Sequence, residues 1–201
     1  MGWLGVPVSI TAVDTPEDLT APLPPRELAA SLAAEKAVAA RAEGADGTVL
    51  AFDTIVVLGD EVLGKPRDRA EAREMLGRLS GGSHEVVTGV AVLAPEAEEP
   101  RTFAVSTPVA MRTLPDEAME VWVAGDECLG CAGAYNIEHH LASVADDECF
   151  NNVAGMPLCH VYAALASTGA FEGLTPPVRA CDAALGRRCL LGPNVCGGQT
   201  G

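Results

Sequence analysis

The chain has 201 residues, 13 Lys plus Arg against 28 Asp plus Glu, a formal charge of -15, and 48% hydrophobic residues. That balance excludes a broad electrostatic binder of long nucleic acid, whose affinity comes from many Lys and Arg contacts to phosphate. With only 20% charged residues it also excludes an acidic disordered tail. No run approaches the roughly 18 to 20 apolar residues of a membrane span, and the opening MGWLGVPVSITAVD lacks the basic and apolar regions of a signal peptide. Seven Cys, an odd number and all beyond residue 127, suit a reducing compartment, so a cytoplasmic protein is expected. At 4%, aromatics are too scarce for a single-strand stacking platform.

In chain order, the alternation from Val6 to Val13 predicts a strand, ended by the Pro16, Pro22, Pro24, Pro25 cluster. Pro25 opens a helix that Gly44 stops, with Leu28, Leu32, Lys36 and Ala39 on one face. Val49 to Leu58 reads as a strand buried on both faces. After Gly59-Asp60 a second short run follows. Asp68 caps a helix whose Ala72, Met75, Leu76 and Leu79 share a face. His84 to Ala94 and Thr102 to Arg112 form a predicted hairpin, and Asp116 starts another helix. Residues 127–157 lack a clear period and are rich in turn residues, the mark of a functional loop. A helix over Leu158 to Ser167 precedes a Gly-, Pro- and Cys-rich stretch from Phe171 that reads as loosely attached or disordered. The class is α/β, with a domain over residues 1–168 and a divergent, flexible tail over 169–201.

A charge inside an apolar β run is the most informative feature. Buried without a partner, Asp53 would cost several kcal/mol by the usual estimates, so it must be hydrogen-bonded, paired or bound to a metal. Alone, Lys65 in Gly64-Lys65-Pro66 reads as a solvated turn lysine, Lys36 as a snorkelling helix lysine, and Glu17 as an ordinary loop carboxylate. Together, two carboxylates and the only two lysines, among 11 Arg, suit a metal-assisted phosphoryl site. Glu17 and Asp53 would hold Mg²⁺ or Mn²⁺ and orient a water, while the lysines neutralise a phosphate leaving group.

Asp53-Thr54, Gly64-Lys65-Pro66, Leu79-Ser80-Gly81, His84 and Thr88-Gly89, in that order, closely resemble the Maf family of nucleoside triphosphate pyrophosphatases. Supporting matches are Pro25-Arg26-Glu27 through Glu35-Lys36-Ala37, Ala132-Gly133-Ala134-Tyr135, and Asn152-Val153 with Gly155-Met156-Pro157-Leu158. The resemblance implies an elongated mixed sheet with flanking helices and two lobes around a cleft, as in inosine-triphosphate pyrophosphatases. It also implies divalent-metal-dependent hydrolysis of a nucleoside triphosphate to monophosphate and pyrophosphate, by a homodimer that cleans nucleotide pools. The family's general base falls on Asp53, its catalytic glutamate on Glu17, and its phosphate-site lysines on Lys36 and Lys65.

The resemblance begins after the first strand and Ser-x-Ser-Pro-Arg-Arg loop with which members open, so either the natural start lies upstream or this form lacks both. On the base side, Thr54 matches members acting on dTTP and UTP. Cys131 and Glu138 instead resemble members acting on 7-methyl-GTP, which makes Thr54 and Glu138 the specificity candidates. His84 is expected to fasten a turn, and His139 and His140 receive no role. Two rival readings are a structural zinc site built on Cys128-x-x-Cys131 with His139, His140, Cys149 and His160, and a Maf-fold regulatory protein without turnover, linked to septum formation.

Overall fold

Runs of Val, Ile and Thr form the centre of the molecule, because branched side chains pack well on a pleated surface buried on both sides. The computed structural model describes residues 2–197. Its sheet contains β1 (Val49–Leu58), β2 (Glu61–Leu63), β3 (Ser83–Leu93), β4 (Arg101–Met111) and β5 (Ala142–Ser143), in the order β2-β1-β3-β4-β5. Among the described residues seven α-helices accompany it: α1 (Pro25–Ala42), α2 (Arg69–Leu79), α3 (Asp116–Ala124), α4 (Phe150–Val153), α5 (Leu158–Ala166), α6 (Val178–Leu185) and α7 (Gly192–Gly197). The class is α/β, as expected, but among the described residues the sheet is not mixed: all four pairings are antiparallel. β2 pairs only with Val56 to Leu58, which leaves the rest of that edge of β1 open among the described residues.

The two faces of the sheet are covered differently. On one face α1 buries Leu28, Ala29 and Leu32 against Ile55, Val57 and Val87, and Ala33, Ala37 and Ala40 against Val49, Ala91 and Leu93, with Val13, Leu19 and Ala21 of the preceding segment packed beside it. Alanine on the helix permits a close approach, and Gly89 of β3 permits a closer one. A Cβ at residue 89 would stand 2.0 Å from the Ala29 carbonyl oxygen. The other face packs α2, α3, the 127–153 segment and α5 over Val56, Val86, Val90 and Val92. Asp68 caps α2 by accepting from the Glu71 N–H at 2.9 Å, as its position predicts.

Three expectations change. Val6 to Val13 forms no strand: the segment is irregular and mostly exposed, with Ile10 at 96%, because alternation without a neighbouring ladder leaves backbone groups to water. The 127–157 segment is built of short pieces, namely 3₁₀ turns at Glu127–Gly130, Ala132–Ala134 and Ile137–His139, then β5 and α4. The stretch after Phe171, read as loose, forms α6 and α7. It folds back on α5 and the 146–151 segment, where the buried thiols of Cys149, Cys159 and Cys181 and the Cys189 thiol line a small cavity. The Asn151 side-chain amide donates to Cys181 Sγ at 2.7 Å. All seven cysteines are free thiols.

Candidate active site

Side chains alternate along β1, so Asp53 points with Ile55 and Val57 toward α1, while Thr54 and Val56 point to the other face. Asp53 is 4% exposed. It pairs across the ladder with Gly89, the rung where α1 comes closest. From Ala29 to Lys36 is about two helical turns, and this places Lys36 over Asp53. The Lys36 ammonium donates to Asp53 Oδ1, and to Glu17 Oε1 at 2.8 Å. Lys65, from the turn after β2, donates to the same Glu17 oxygen at 2.8 Å. A Cβ at residue 64 of that turn would stand 2.3 Å from Leu19 Cδ1, so any larger residue there would require the Leu19 side chain to move. The Gly64 carbonyl accepts from the Gly133 N–H at 3.0 Å, tying the Lys65 turn to the 132–134 segment. Glu17, Lys36, Asp53 and Lys65, four separate candidates in sequence, thus form one chain of ion pairs.

The electrostatics of this chain are uneven. Burial pushes the Asp53 carboxyl above the usual range, and the Lys36 ammonium only partly counters it. One reason is geometric: Lys36 engages Oδ1, while Oδ2 is buried with no hydrogen-bond partner. Burial also pushes Glu17 upward, but the two lysines overcome it and hold this carboxyl below its ordinary value. For Lys36, burial acts to lower the ammonium, and Asp53 with Glu17 more than offsets it, so the group stays charged.

From these charges a cleft of about 370 Å³ runs to the opposite face of the sheet. It passes the free edge of β1, which is why Asp53 from one face and Thr54 from the other both line it. Lys36 and Lys65 stand at one end, and Cys131, Asn136 and Glu138 line it from the 127–138 turns. Both specificity candidates are therefore in the same cleft as the ion pairs. The Glu138 side chain is exposed, and its N–H donates to Asn136 Oδ1 at 2.9 Å.

Three groups escaped the sequence reading as site residues. Thr88, opposite Thr54, has its hydroxyl 3.0 Å from that of Thr54 and donates to the Asn152 carbonyl at 2.9 Å. Asn152, fully buried, drives its amide nitrogen between β3 and β4, where its two protons are shared among Val86 O, Val105 O and Thr107 Oγ1, each at 3.1 Å. Tyr135 of the cleft wall meets His84 across 2.7 Å, Oη to Nε2, with the rings edge to face. His84 therefore fastens the core to the 135 region rather than a turn, and burial lowers its pKa to about 4. A polar residue inside a β-branched run, the signal that marked Asp53, was present at Thr88 as well.

The cysteine and histidine set of the zinc reading does not converge. Cys128 Sγ donates to Gly125 O at 3.3 Å, Cys131 Sγ to Glu127 O at 3.4 Å, and His139 contacts Glu127 and Trp122. Among the described residues no three His, Cys, Asp or Glu side chains gather as a metal-holding group.

Residues 2–168 match the family described as Maf-like protein. The chain belongs to the Maf family. Curated Maf relatives include a dTTP/UTP pyrophosphatase of Geobacter sulfurreducens, 40% identical over 171 residues, covering 83% of this chain and 88% of the relative. A protein of the same name from Bacillus velezensis is 38% identical over 167 residues, 82% of this chain and 87% of its own. Another from Anaeromyxobacter dehalogenans is 40% identical over 173 residues, 84% and 87%. The antiparallel sheet, α1 and the charged cleft all lie within the matched Maf segment.

Proposed function

We propose that this Maf protein hydrolyses a nucleoside triphosphate to the monophosphate and pyrophosphate, acting on dTTP and UTP as the names of its relatives describe. The observation that carries the reading is Asp53: a buried carboxylate with one oxygen held by a lysine and the other unpartnered, at the wall of a nucleotide-sized cleft. A carboxyl raised above its usual range is a stronger base once ionised, which suits removal of a proton from the attacking water through Oδ2. Lys36 and Lys65 would bind the phosphates and neutralise charge gathering on the departing pyrophosphate. Their present partner, Glu17, then exchanges contacts with the substrate.

The donor set fits a divalent cation. Glu17 and Asp53 carry hard carboxylate oxygens, and Mg²⁺ or Mn²⁺ commonly takes one or two carboxylates together with substrate phosphates. When bound, the ion would supply positive charge to the phosphate oxygens. Glu138 and Cys131 keep 7-methyl-GTP as the second substrate to try, because a carboxylate suits the N–H edge of a guanine. The same proposal holds that the protein works as a homodimer in the cytoplasm. Seven free thiols are consistent with a reducing compartment. No described helix is long and apolar enough to cross a membrane.

Pyrophosphate release from a panel of canonical and methylated triphosphates with Mn²⁺ tests the reaction. Asp53→Asn is expected to lower the rate by about 10²- to 10⁴-fold, the range for a general base. Full activity in Asp53→Asn, or no cleavage of any triphosphate by the wild type, would refute it.

A further inference from the structure

A hydroxyl has one proton and two lone pairs, so committing the proton in one direction decides what the group can offer in the others. Thr88, fully buried on β3, donates its proton to the Asn152 carbonyl oxygen, which can only accept. Toward Thr54 it therefore has only lone pairs, and the 3.0 Å contact between the two hydroxyls must use the proton of Thr54. Thr54 is left facing the cleft with acceptors alone. The acceptor is the main-chain carbonyl of Asn152, which also accepts from the Gly155 N–H at 2.9 Å, and the residue is held in place by its side-chain amide, whose two protons face Val86 O, Val105 O and Thr107 Oγ1 between β3 and β4.

The neighbouring side chains follow the same rule. The Cys131 thiol proton goes to the Glu127 carbonyl. Asn136 donates through Nδ2 to Glu127 Oε1 at 2.7 Å and accepts at Oδ1 from the Glu138 N–H. Glu138 brings carboxylate oxygens. Thr54 and Cys131 thus direct their protons into the protein, and the Glu138 carboxylate has none to give, while Asn136 keeps a second amide proton.

Resting on the nucleotide reading above, we infer that this end of the cleft selects bases with a protonated ring nitrogen on the pairing edge. Uracil, thymine and guanine have that N–H, whereas cytosine and adenine place a lone pair there. Thr54 is then the specificity-determining contact, and Thr88 with Asn152 are positioning residues that set its polarity. A lone pair facing a lone pair leaves both desolvated and unpaired, the arrangement that discriminates most strongly between otherwise similar ligands.

Calorimetric binding of UMP, 3-methyl-UMP and CMP tests the inference without requiring turnover. The wild type is expected to bind UMP at least about tenfold tighter than the other two, since each 1.4 kcal/mol is a factor of ten. Thr88→Val removes the group that takes the Thr54 proton and frees that hydroxyl to donate. The UMP-to-CMP ratio should then fall below about threefold, largely through a gain for CMP, while Thr88→Ser keeps the wild-type ratio. Equal binding of UMP and CMP by the wild type, no binding of UMP, or an unchanged ratio in a folded Thr88→Val protein would overturn it. Pyrophosphate release from UTP is read in parallel. A protein that discriminates UMP from CMP but cleaves no triphosphate refutes the hydrolytic reading and leaves the polarity of Thr54 standing.

Discussion

The two faces of β1 solve one problem by opposite means. Toward α1, Asp53 is a charge in an apolar wall, and it is held there by another charge, Lys36, brought over it by a helix pressed against a glycine. Toward the 127–155 segment, Thr54 is neutral and is oriented by counting protons through Thr88 to Asn152. Charges placed by ion pairs are responsive: their contacts exchange with a charged ligand, and their protonation follows pH. A neutral relay ending in a buried, multiply bonded amide is rigid, and suits recognition better than chemistry.

The comparison can be broken from either side. The largest effect is expected from Gly89→Val, which puts a side chain where the Ala29 carbonyl already lies. Separation of α1 from the sheet should cost about 3 kcal/mol or more, read as a lowered urea midpoint. A wild-type midpoint would show that the close approach is not needed. On the other face, Asn152→Ala removes an amide whose two protons serve three acceptors at a fully buried position and should cost about 2 to 3 kcal/mol. Because the segment it anchors carries cleft residues 153–155, substrate affinity should weaken even at temperatures where the variant is folded.

The remaining two outcomes concern protons. His84 is neutral in the folded state down to about pH 4, whereas its unfolded pKa is 6.5. Below 6.5 the unfolded chain therefore binds a proton that the folded chain does not. Stability intact above that value is lost as pH falls toward 4, by up to about 3 kcal/mol. Thermal unfolding followed from pH 7 to 4 should show the loss, and a His84→Phe protein should show a shallower slope. The smallest effect is the most specific to the charged face. Lys36 is what draws the Asp53 carboxyl back down against burial, so Lys36→Met should raise it further. Asp53 must be ionised to act as a base, so the acid limb of kcat/KM should move to higher pH. A limb that stays in place would mean that another group controls it.

What was legible in sequence divides along the same line. β1 runs from Val49 to Leu58 as its apolar run indicates, α2 starts at the Asp68 cap, and Asp53 announced itself as a charge in a place that charges avoid. These are local signals, and α1 and β1 are regular elements whose periodicity places Lys36 and Asp53 on facing surfaces. The neutral side was not readable in this way. Thr88 and Asn152 are 64 residues apart and His84 and Tyr135 are 51 apart, so the polar residue in the β3 run marks Thr88 but does not reveal its partners. The failures at Val6 to Val13 and beyond Phe171 share a cause. Alternation predicts a strand only where another strand is free to pair with it, and turn-rich composition hides helices that owe their order to docking on α5.

One consequence follows from the scarcity of lysine. Lys36 and Lys65 are the only lysines in the chain, and both stand in the cleft, the second about half exposed. Apart from the α-amino terminus, every amine-directed reagent therefore has a single address. Acylation, carbamylation or isotopic labelling of an ε-nitrogen reports on the cleft and nowhere else, so the protein carries its own occupancy probe without an engineered tag.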